Sequence, residues 1–190
     1  MQWGSRYRKT CKRYNTPWHA HFLTFSCYRQ RAFLTRDRTR RYFLTAVATA
    51  REKYRFDLWG YVIMPEHVHL LMFPRNEVYS ISVILKSIKQ SVSRRAVHYL
   101  RTCNRGGLKA LATAQRRCPY RFWQAGGGYD RNIWSPEEAH EKLTYIHENP
   151  VRRGLVTDLE DWPWSSWRAW EKDIDDPLSV DKASFPLLVE

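Results

Sequence analysis

Residues 57 to 73 read DLWGYVIMPEHVHLLMF, two apolar runs separated by the tripeptide Met64-Pro65-Glu66. Each run has the length of a strand and is rich in β-branched or aromatic residues, and the proline between them favours a turn. The pattern predicts a β-hairpin with strands over 57–63 and 67–73. The segments before and after the hairpin can therefore pack against an antiparallel sheet.

The segments on either side of this hairpin alternate between strand and helix patterns. Short runs of aromatic and β-branched residues indicate strands, and apolar residues spaced three and four apart indicate helices. The predicted strands cover 19–28 and 129–134, and the predicted helices cover 36–55, 78–100 and 135–149. No pattern assigns a structure to 101–119. Strands interleaved with helices predict an α+β fold, an antiparallel sheet with helices packed on it.

The last predicted helix has clear signals at both ends. Ser135 is a suitable N-cap, Pro136 suits the first helical position, and Glu138 completes a capping box. Pro150 disfavours helical backbone at the residue before it. We therefore expect this helix to end at about Asn149.

The chain has 190 residues, of which 43% are hydrophobic, enough for one compact core and few for two. We expect one domain over 1–170, with a basic N-terminal arm, and an acidic tail over 171–190. No apolar run approaches the roughly 18 to 20 residues of a membrane span, and the four cysteines form no C-x-x-C pair. These features favour a cytoplasmic protein with reduced thiols.

The net charge of +13 is concentrated in two segments, which carry +12 over residues 1–56 and +10 over residues 75–121. Such an excess of Lys and Arg is typical of proteins that bind a polyanion, most often nucleic acid. On the helix predicted over 78–100, Lys86, Lys89 and Arg94 share a polar face that contains no acidic residue. That face suits a phosphate backbone, although a plain solvated face is the alternative.

Two histidines, His67 and His69, open the second strand of the hairpin. Side chains alternate along a strand, so both imidazoles lie on the same face, where they can chelate one divalent cation. Hydrogen-bonded structural histidines are an equally simple interpretation, and a second H-x-H pair occurs at His19 and His21. The pair His67 and His69 stands out because it places polar groups at the start of a very apolar strand.

Tyr145 and Asn149 lie one turn apart on the last helix, roughly 100° away from its apolar stripe. Tyr145 is therefore either an exposed helical tyrosine or a nucleophile beside a metal ligand. Periodicity alone leaves both interpretations open.

Three segments in combination resemble the Y1 tyrosine transposases of the HUH superfamily, and more closely their branch associated with repetitive extragenic palindromes (REP). These segments are YVIMPEHVHLLM from Tyr61, YIHENPVRRGLV from Tyr145 and DWPWSSW from Asp161. The resemblance extends from about His19 to Trp167. The loop 101–119, the three glycines 126–128 and the tail after Glu171 match nothing in it.

The resemblance implies a ferredoxin-like (RRM-like) HUH nuclease core and a role for each matching residue. His67 and His69 correspond to the metal-binding pair, Asn149 to a third, amide ligand, and Tyr145 to the nucleophile. The implied cofactor is Mg²⁺ or Mn²⁺. Imidazole ligands favour Mn²⁺, whereas cellular abundance favours Mg²⁺.

The implied activity is cleavage and rejoining of single-stranded DNA that contains an imperfect hairpin, through a 5′-phosphotyrosine intermediate. Such a protein would be cytoplasmic and associated with the nucleoid. Besides Lys86, Lys89 and Arg94, we expect DNA contacts from the N-terminal arm (Arg6, Arg8) and from the residues that follow the tyrosine helix (Arg152, Arg153). The REP-associated branch completes its site within one chain, so we expect a monomer, with a dimer as the alternative.

Two other functions compete with strand transfer. The first is a non-catalytic protein of the same fold that binds DNA or RNA hairpins. The second is a metal hydrolase in which His19 and His21 join His67 and His69, but strand alternation predicts Glu66 on the opposite face, where it cannot activate water. For the acidic tail we expect a solvated segment, with a segment folded over the basic face as the alternative.

Overall fold

The computed structural model describes residues 13–174 and 177–188 and has one antiparallel sheet with strand order β2-β3-β1-β4. The strands are β1 (Ala20–Ser26), β2 (Phe56–Ile63), β3 (His67–Pro74) and β4 (Tyr129–Ile133). The helices are α1 (Asp37–Tyr54), α2 (Ile81–Cys103), α3 (Leu108–Leu111), α4 (Pro136–Arg152) and α5 (Trp167–Lys172). The succession β1-α1-β2-β3-α2-β4 is that of a ferredoxin-like fold. The predicted α+β fold, with helices on an antiparallel sheet, is confirmed.

The sheet separates two apolar clusters. On one face, α1 and α2 cover side chains such as Leu23, Phe25 and Leu70. On the other face, α4 covers side chains such as Phe22 and Leu71. Neighbouring residues of one strand belong to different clusters because strand side chains alternate. In the described part of the chain, no helix is long and apolar enough to cross a membrane.

A glycine in β2 lets α4 approach the sheet closely. The pairing of β2 with β3 shifts register between Leu58 and Gly60, as at a β-bulge. A Cβ atom on Gly60 would lie 2.6 Å from Leu143 Cδ1 of α4, which is closer than van der Waals contact allows. The absence of a side chain at residue 60 therefore sets how near α4 lies to the sheet.

The helix α4 begins where the capping signals predict and ends later. Ser135 Oγ accepts a hydrogen bond from the Glu138 amide, and the Glu138 carboxylate accepts one from the Trp134 amide. The predicted end at Asn149 is wrong, since the helix continues through Pro150 to Arg152. Pro150 is buried against the body of the protein. Packing there offsets the hydrogen bond that the proline cannot donate.

Two segments without a confirmed sequence assignment also have defined structure. Within 101–119, α2 runs on to Cys103, a 3-10 turn and α3 follow, and a loop from Ala112 leads to an isolated bridge between Ala112 and Tyr120. In the tail, the Asp181 amide donates a hydrogen bond to the Leu58 carbonyl of β2, and the Asp181 carboxylate accepts one from the Leu58 amide. Phe185 of the tail is buried. The expectation of a solvated tail is therefore wrong for residues 177–188. They cover the outer edge of β2 because that edge would otherwise present unpaired backbone groups.

Candidate active site

A cleft of about 510 Å³ lies on the α4 side of the sheet and is bounded by the ends of β1, β3 and α4. We call it the histidine cleft. Its lining residues are Thr24, Ser26, Gln30, Ala32, Glu66, His67, His69, Tyr145, Asn149 and Arg153. The β-hairpin and the last turns of α4, far apart in sequence, therefore meet in one place.

The two imidazoles of β3 contact each other within this cleft. His67 Nε2 lies 3.0 Å from His69 Nε2. Their other ring nitrogens are held by neighbours: His67 Nδ1 donates to Glu66 Oε1 at 3.1 Å, and His69 Nδ1 lies 2.7 Å from Thr24 Oγ1. A carboxylate only accepts hydrogen bonds, so the proton of neutral His67 is on Nδ1. The lone pair of His67 Nε2 is therefore directed towards His69.

Burial keeps both imidazoles neutral. It lowers the pKa of His67, although the neighbouring Glu66 carboxylate partly opposes this shift. It also lowers the pKa of His69, to about 3, and the adjacent His67 acts in the same direction. Neutral imidazole is the form that ligates a metal ion.

The helix α4 adds an amide and a phenol to the imidazoles. Asn149 is buried, with Nδ2 3.2 Å from His69 Nε2. The half-buried Tyr145 has its ring centroid 5.4 Å from that of His69. Both residues line the histidine cleft and face the polar start of β3.

The donor atoms of the cleft suit a divalent cation. Asn149 Oδ1 is buried and has no hydrogen-bond partner among the described residues. Nδ2 of the same amide lies beside His69 Nε2, and a 180° rotation of the amide exchanges its oxygen and nitrogen. In the same part of the chain, no group of three or more His, Cys, Asp or Glu side chains is arranged around a common point. A third ligand would therefore come from the Asn149 amide, as the resemblance implies. Two imidazoles and one amide oxygen suit Mn²⁺ by ligand type and admit Mg²⁺.

Glu66 lines the cleft, so its predicted position on the opposite face is wrong. Strand alternation does not apply to it because β3 begins only at His67 and Glu66 belongs to the preceding turn. Its Oε1 atom also accepts from Arg153 Nη2 at 2.8 Å. This pair fixes Arg153 at the rim of the cleft.

The second H-x-H pair takes no part in the cleft. His21 is fully buried on the α2 side of the sheet, between Asp130 and the Tyr79 hydroxyl. His19 Nδ1 lies 3.1 Å from the Ile133 carbonyl oxygen. The His21 side chain projects to the face of the sheet opposite the cleft. The four histidines therefore do not form one hydrolase site.

A second and larger cavity, of about 760 Å³, lies on the α2 side of the sheet. We call it the basic groove, because Arg13, Lys86, Lys89, Arg94 and Arg121 line it. Lys86 and Arg94 are exposed. Burial and the neighbouring Arg13 lower the pKa of Lys89 to about 8. Its ammonium donates to the Gly126 carbonyl at 2.9 Å.

The remaining predicted DNA contacts have different positions. Arg152 is exposed beside the cleft, with its guanidinium 5.6 Å from the Tyr145 ring centroid and Nε 3.1 Å from Glu148 Oε2. Arg6 and Arg8 lie outside the described residues.

Sequence analysis did not identify the two side chains of β1 that contact His69. Thr24 has no signal of its own, since it contacts His69 only because β1 pairs with β3 at that position. Phe22, whose ring stacks on His69 at 5.4 Å between centroids, looks like any apolar strand residue. Finding either would have required the strand order.

Comparisons with known proteins agree on one family. Residues 15–106 match the family model described as IS200-like transposase. A Haemophilus influenzae protein named as a REP-associated tyrosine transposase is 30% identical over 141 residues, which cover 69% of this chain and 74% of that protein. A solved structure of a REP-associated tyrosine transposase bound to a REP hairpin has a TM-score of 0.66 and 19% identity. The match covers 96% of this chain and 100% of that one.

Proposed function

The chain belongs to the REP-associated tyrosine transposases of the IS200-like family, and from this we propose that it cleaves and rejoins single-stranded DNA beside an imperfect hairpin. One observation carries the proposal: Tyr145 lies next to two convergent imidazoles and to a buried amide whose oxygen has no hydrogen-bond partner in the described part of the chain. A phenol in that position can act as a nucleophile on a phosphodiester.

In the proposed reaction, the Tyr145 oxygen attacks phosphorus and forms a new P–O bond. The bond from phosphorus to the 3′ oxygen breaks, and that oxygen leaves as a 3′-hydroxyl when it gains the proton that the phenol loses. The product is a 5′-phosphotyrosine. A second 3′-hydroxyl reverses the same exchange and joins new ends without consuming a nucleotide.

His67, His69 and Asn149 would hold the divalent cation, Mg²⁺ or Mn²⁺. When bound, such a cation withdraws charge from a non-bridging phosphate oxygen and helps to fix in-line geometry. Glu66 and Thr24 keep both Nε2 atoms turned towards the ligand position. The Phe22 ring limits the movement of the His69 ring and of the Tyr145 ring. The centroids of the Phe22 and Tyr145 rings are 5.9 Å apart.

For DNA binding we propose two surfaces. Lys86, Lys89 and Arg94 in the basic groove contact phosphates of the hairpin stem, and Arg152 and Arg153 contact the strand at the cleft. Gln124, which lines the basic groove, donates its amide to the carbonyl of Ser26, which lines the cleft. The two surfaces therefore meet around the end of β1. The N-terminal Arg6 and Arg8 are further candidates for phosphate contact.

We also propose that one chain suffices for catalysis. The support is that Tyr145 lies beside the histidines of its own chain, at 5.4 Å between ring centroids. A monomer would then cut without exchange of α4 between two copies.

The test is covalent trapping. The protein is incubated with a pool of labelled DNA hairpins whose single-stranded flanks are randomised, with Mn²⁺, with Mg²⁺ or with a chelator, and is analysed on a denaturing gel. We expect a protein–DNA adduct that requires metal and disappears in Tyr145→Phe. The matched control is Tyr99→Phe on α2, which removes the same hydroxyl on the opposite side of the sheet.

Each other outcome has a defined meaning. An adduct that survives Tyr145→Phe excludes this tyrosine as nucleophile. Binding of hairpins without an adduct under any metal favours the non-catalytic hairpin-binding protein instead. An adduct that forms in the presence of chelator rejects the metal requirement.

A further inference from the structure

Tyr129, the first residue of β4, is an exposed aromatic side chain close to the histidine cleft. Its accessible fraction is 48%. In the sheet it pairs with Thr24 of β1, which lines the cleft and contacts His69. Paired residues project to the same face of a sheet, so Tyr129 lies on the side of α4 and Tyr145.

One buried ring connects Tyr129 to the candidate active site. The Phe22 ring centroid is 6.2 Å from that of Tyr129, 5.9 Å from that of Tyr145 and 5.4 Å from that of His69. The ring of Tyr129 meets the Phe22 ring at 70°. Phe22 therefore packs edge-to-face with Tyr129, and nearly half of Tyr129 remains open to solvent.

The position of Tyr129 is fixed from both sides. Arg131, two residues further along β4 and on the same face, is paired with Glu138 of α4, and its interaction with the Tyr129 phenol raises the pKa of its guanidinium. Before Tyr129, Gly128 has φ of +75°, and a Cβ atom there would lie 2.1 Å from the Thr24 carbonyl oxygen. Only glycine allows the chain to enter β4 so close to β1. A side chain held in this way loses little conformational entropy when a ligand stacks on it.

We propose that Tyr129 is a stacking platform for one nucleobase of the single strand next to the scissile phosphate. The inference rests on the proposed function, because it needs single-stranded DNA in the cleft. Aromatic side chains bind single strands by stacking on bases, which is tolerant of sequence because every base has a π-face. Tyr129 would thus position the phosphate for Tyr145 without taking part in the chemistry.

The experiment combines substitutions of Tyr129 with modified DNA and measures the affinity of each protein–DNA pair. All proteins carry Tyr145→Phe, so that binding is measured without cleavage. The DNA is the hairpin recovered most often from the trapped pool, and single abasic residues are introduced one by one along its flank. We expect Tyr129→Ala to weaken binding of the intact DNA by about 10-fold. One abasic position should weaken binding to the parent protein equally and have no further effect on Tyr129→Ala. Tyr129→Phe keeps the ring and should bind like the parent.

Trp134→Ala is the matched control, since Trp134 is an exposed aromatic residue just beyond the other end of β4, and its ring lies against His19. It should leave binding unchanged. Additive losses at every abasic position, or equal losses in Tyr129→Phe and Tyr129→Ala, would overturn the stacking platform alone if trapping by Tyr145 succeeds. The abasic scan on the parent protein does not depend on whether a variant folds, and a scan without a sensitive position also overturns it. Failure of the unsubstituted protein to bind or trap any hairpin would overturn both proposals.

Discussion

Glu66 joins the imidazole of His67 to the guanidinium of Arg153 through one carboxylate oxygen. Carboxylates that hold the outer nitrogen of a ligating histidine fix its tautomer and orientation, and their loss lowers metal affinity by roughly 10- to 100-fold. Glu66 thus has the position of such a supporting group.

We predict that Glu66→Ala weakens Mn²⁺ binding by about 10-fold, because His67 can then rotate or change tautomer. Titration of Mn²⁺ followed by electron paramagnetic resonance measures the affinity directly. Glu77→Ala, which removes an exposed carboxylate on another loop, is the control and should have no effect. Equal affinities for the two variants would show that Glu66 does not support His67.

Lys89 is a cation whose charge depends on pH in the neutral to mildly alkaline range. Its pKa, lowered to about 8 by burial and by Arg13, means that the ammonium is charged below this pH and neutral above it. A phosphate contact from Lys89 should therefore weaken as the pH rises.

We predict that the slope of log affinity for hairpin DNA against log salt falls by about 0.9, the value of one phosphate contact on B-DNA, between pH 7 and about pH 9.5. Lys89→Met should have the smaller slope at both pH values. Lys86→Met, on the same helix but exposed, should reduce the slope without removing its pH dependence. A slope that changes equally with pH in Lys89→Met would assign the titration to another group.

At the level of elements, the site depends on the distance between α4 and the sheet, and Gly60 sets that distance. We predict that Gly60→Ala destabilises the fold by about 1 to 3 kcal/mol, because the added methyl group collides with Leu143. It should also reduce trapping of DNA, since α4 carries Tyr145 and Asn149 away from the histidines. Chemical unfolding and the trapping assay measure the two effects.

A second substitution separates collision from other causes. Leu143→Ala removes the atom that the new methyl group meets, so Gly60→Ala with Leu143→Ala should recover trapping relative to Gly60→Ala alone. Additive losses in the double variant would contradict the steric explanation.

The elements that could be predicted are those with a local signal. The hairpin, the strands over β1 and β4 and the start of α4 follow from alternation, period and capping. The end of α4 could not be predicted, because tertiary packing overrides the proline at position 150. The position of Glu66 could not be predicted from the alternation of strand side chains, because Glu66 belongs to the turn that precedes β3.

For the candidate site, sequence indicates that His67 and His69 share a face and that Tyr145 and Asn149 share a helix. It does not indicate that β1 lies between β3 and β4, which places Thr24 against His69 and Tyr129 near Phe22. Contacts of this kind depend on strand order, and one sequence contains no local signal for strand order.

At the level of the whole molecule, the described part of the tail serves the fold rather than the DNA surfaces. Phe185 is buried among Trp59, Trp170 and His140. None of residues 177–188 lines the basic groove or the histidine cleft. Covering the edge of β2 is therefore its evident structural role.

We predict that Phe185→Ala lowers the free energy of unfolding by about 3 kcal/mol, as for other buried aromatic residues, and leaves hairpin affinity unchanged at fixed salt. Leu187→Ala, at an exposed position in the same segment, should be nearly neutral in both measurements. A rise in DNA affinity in Phe185→Ala would instead indicate that the tail competes with DNA.

The site is divided along the chain, with the imidazole pair on β3 and the tyrosine on α4, after the residues that complete the basic groove. The ribosome therefore makes His67, His69 and the basic residues of the groove before it makes Tyr145, the proposed nucleophile. Any product of premature termination upstream of Tyr145 lacks the phenol, whatever else it retains. Under the proposed function, a copy that ends before residue 145 can form no phosphotyrosine and therefore cannot cut DNA.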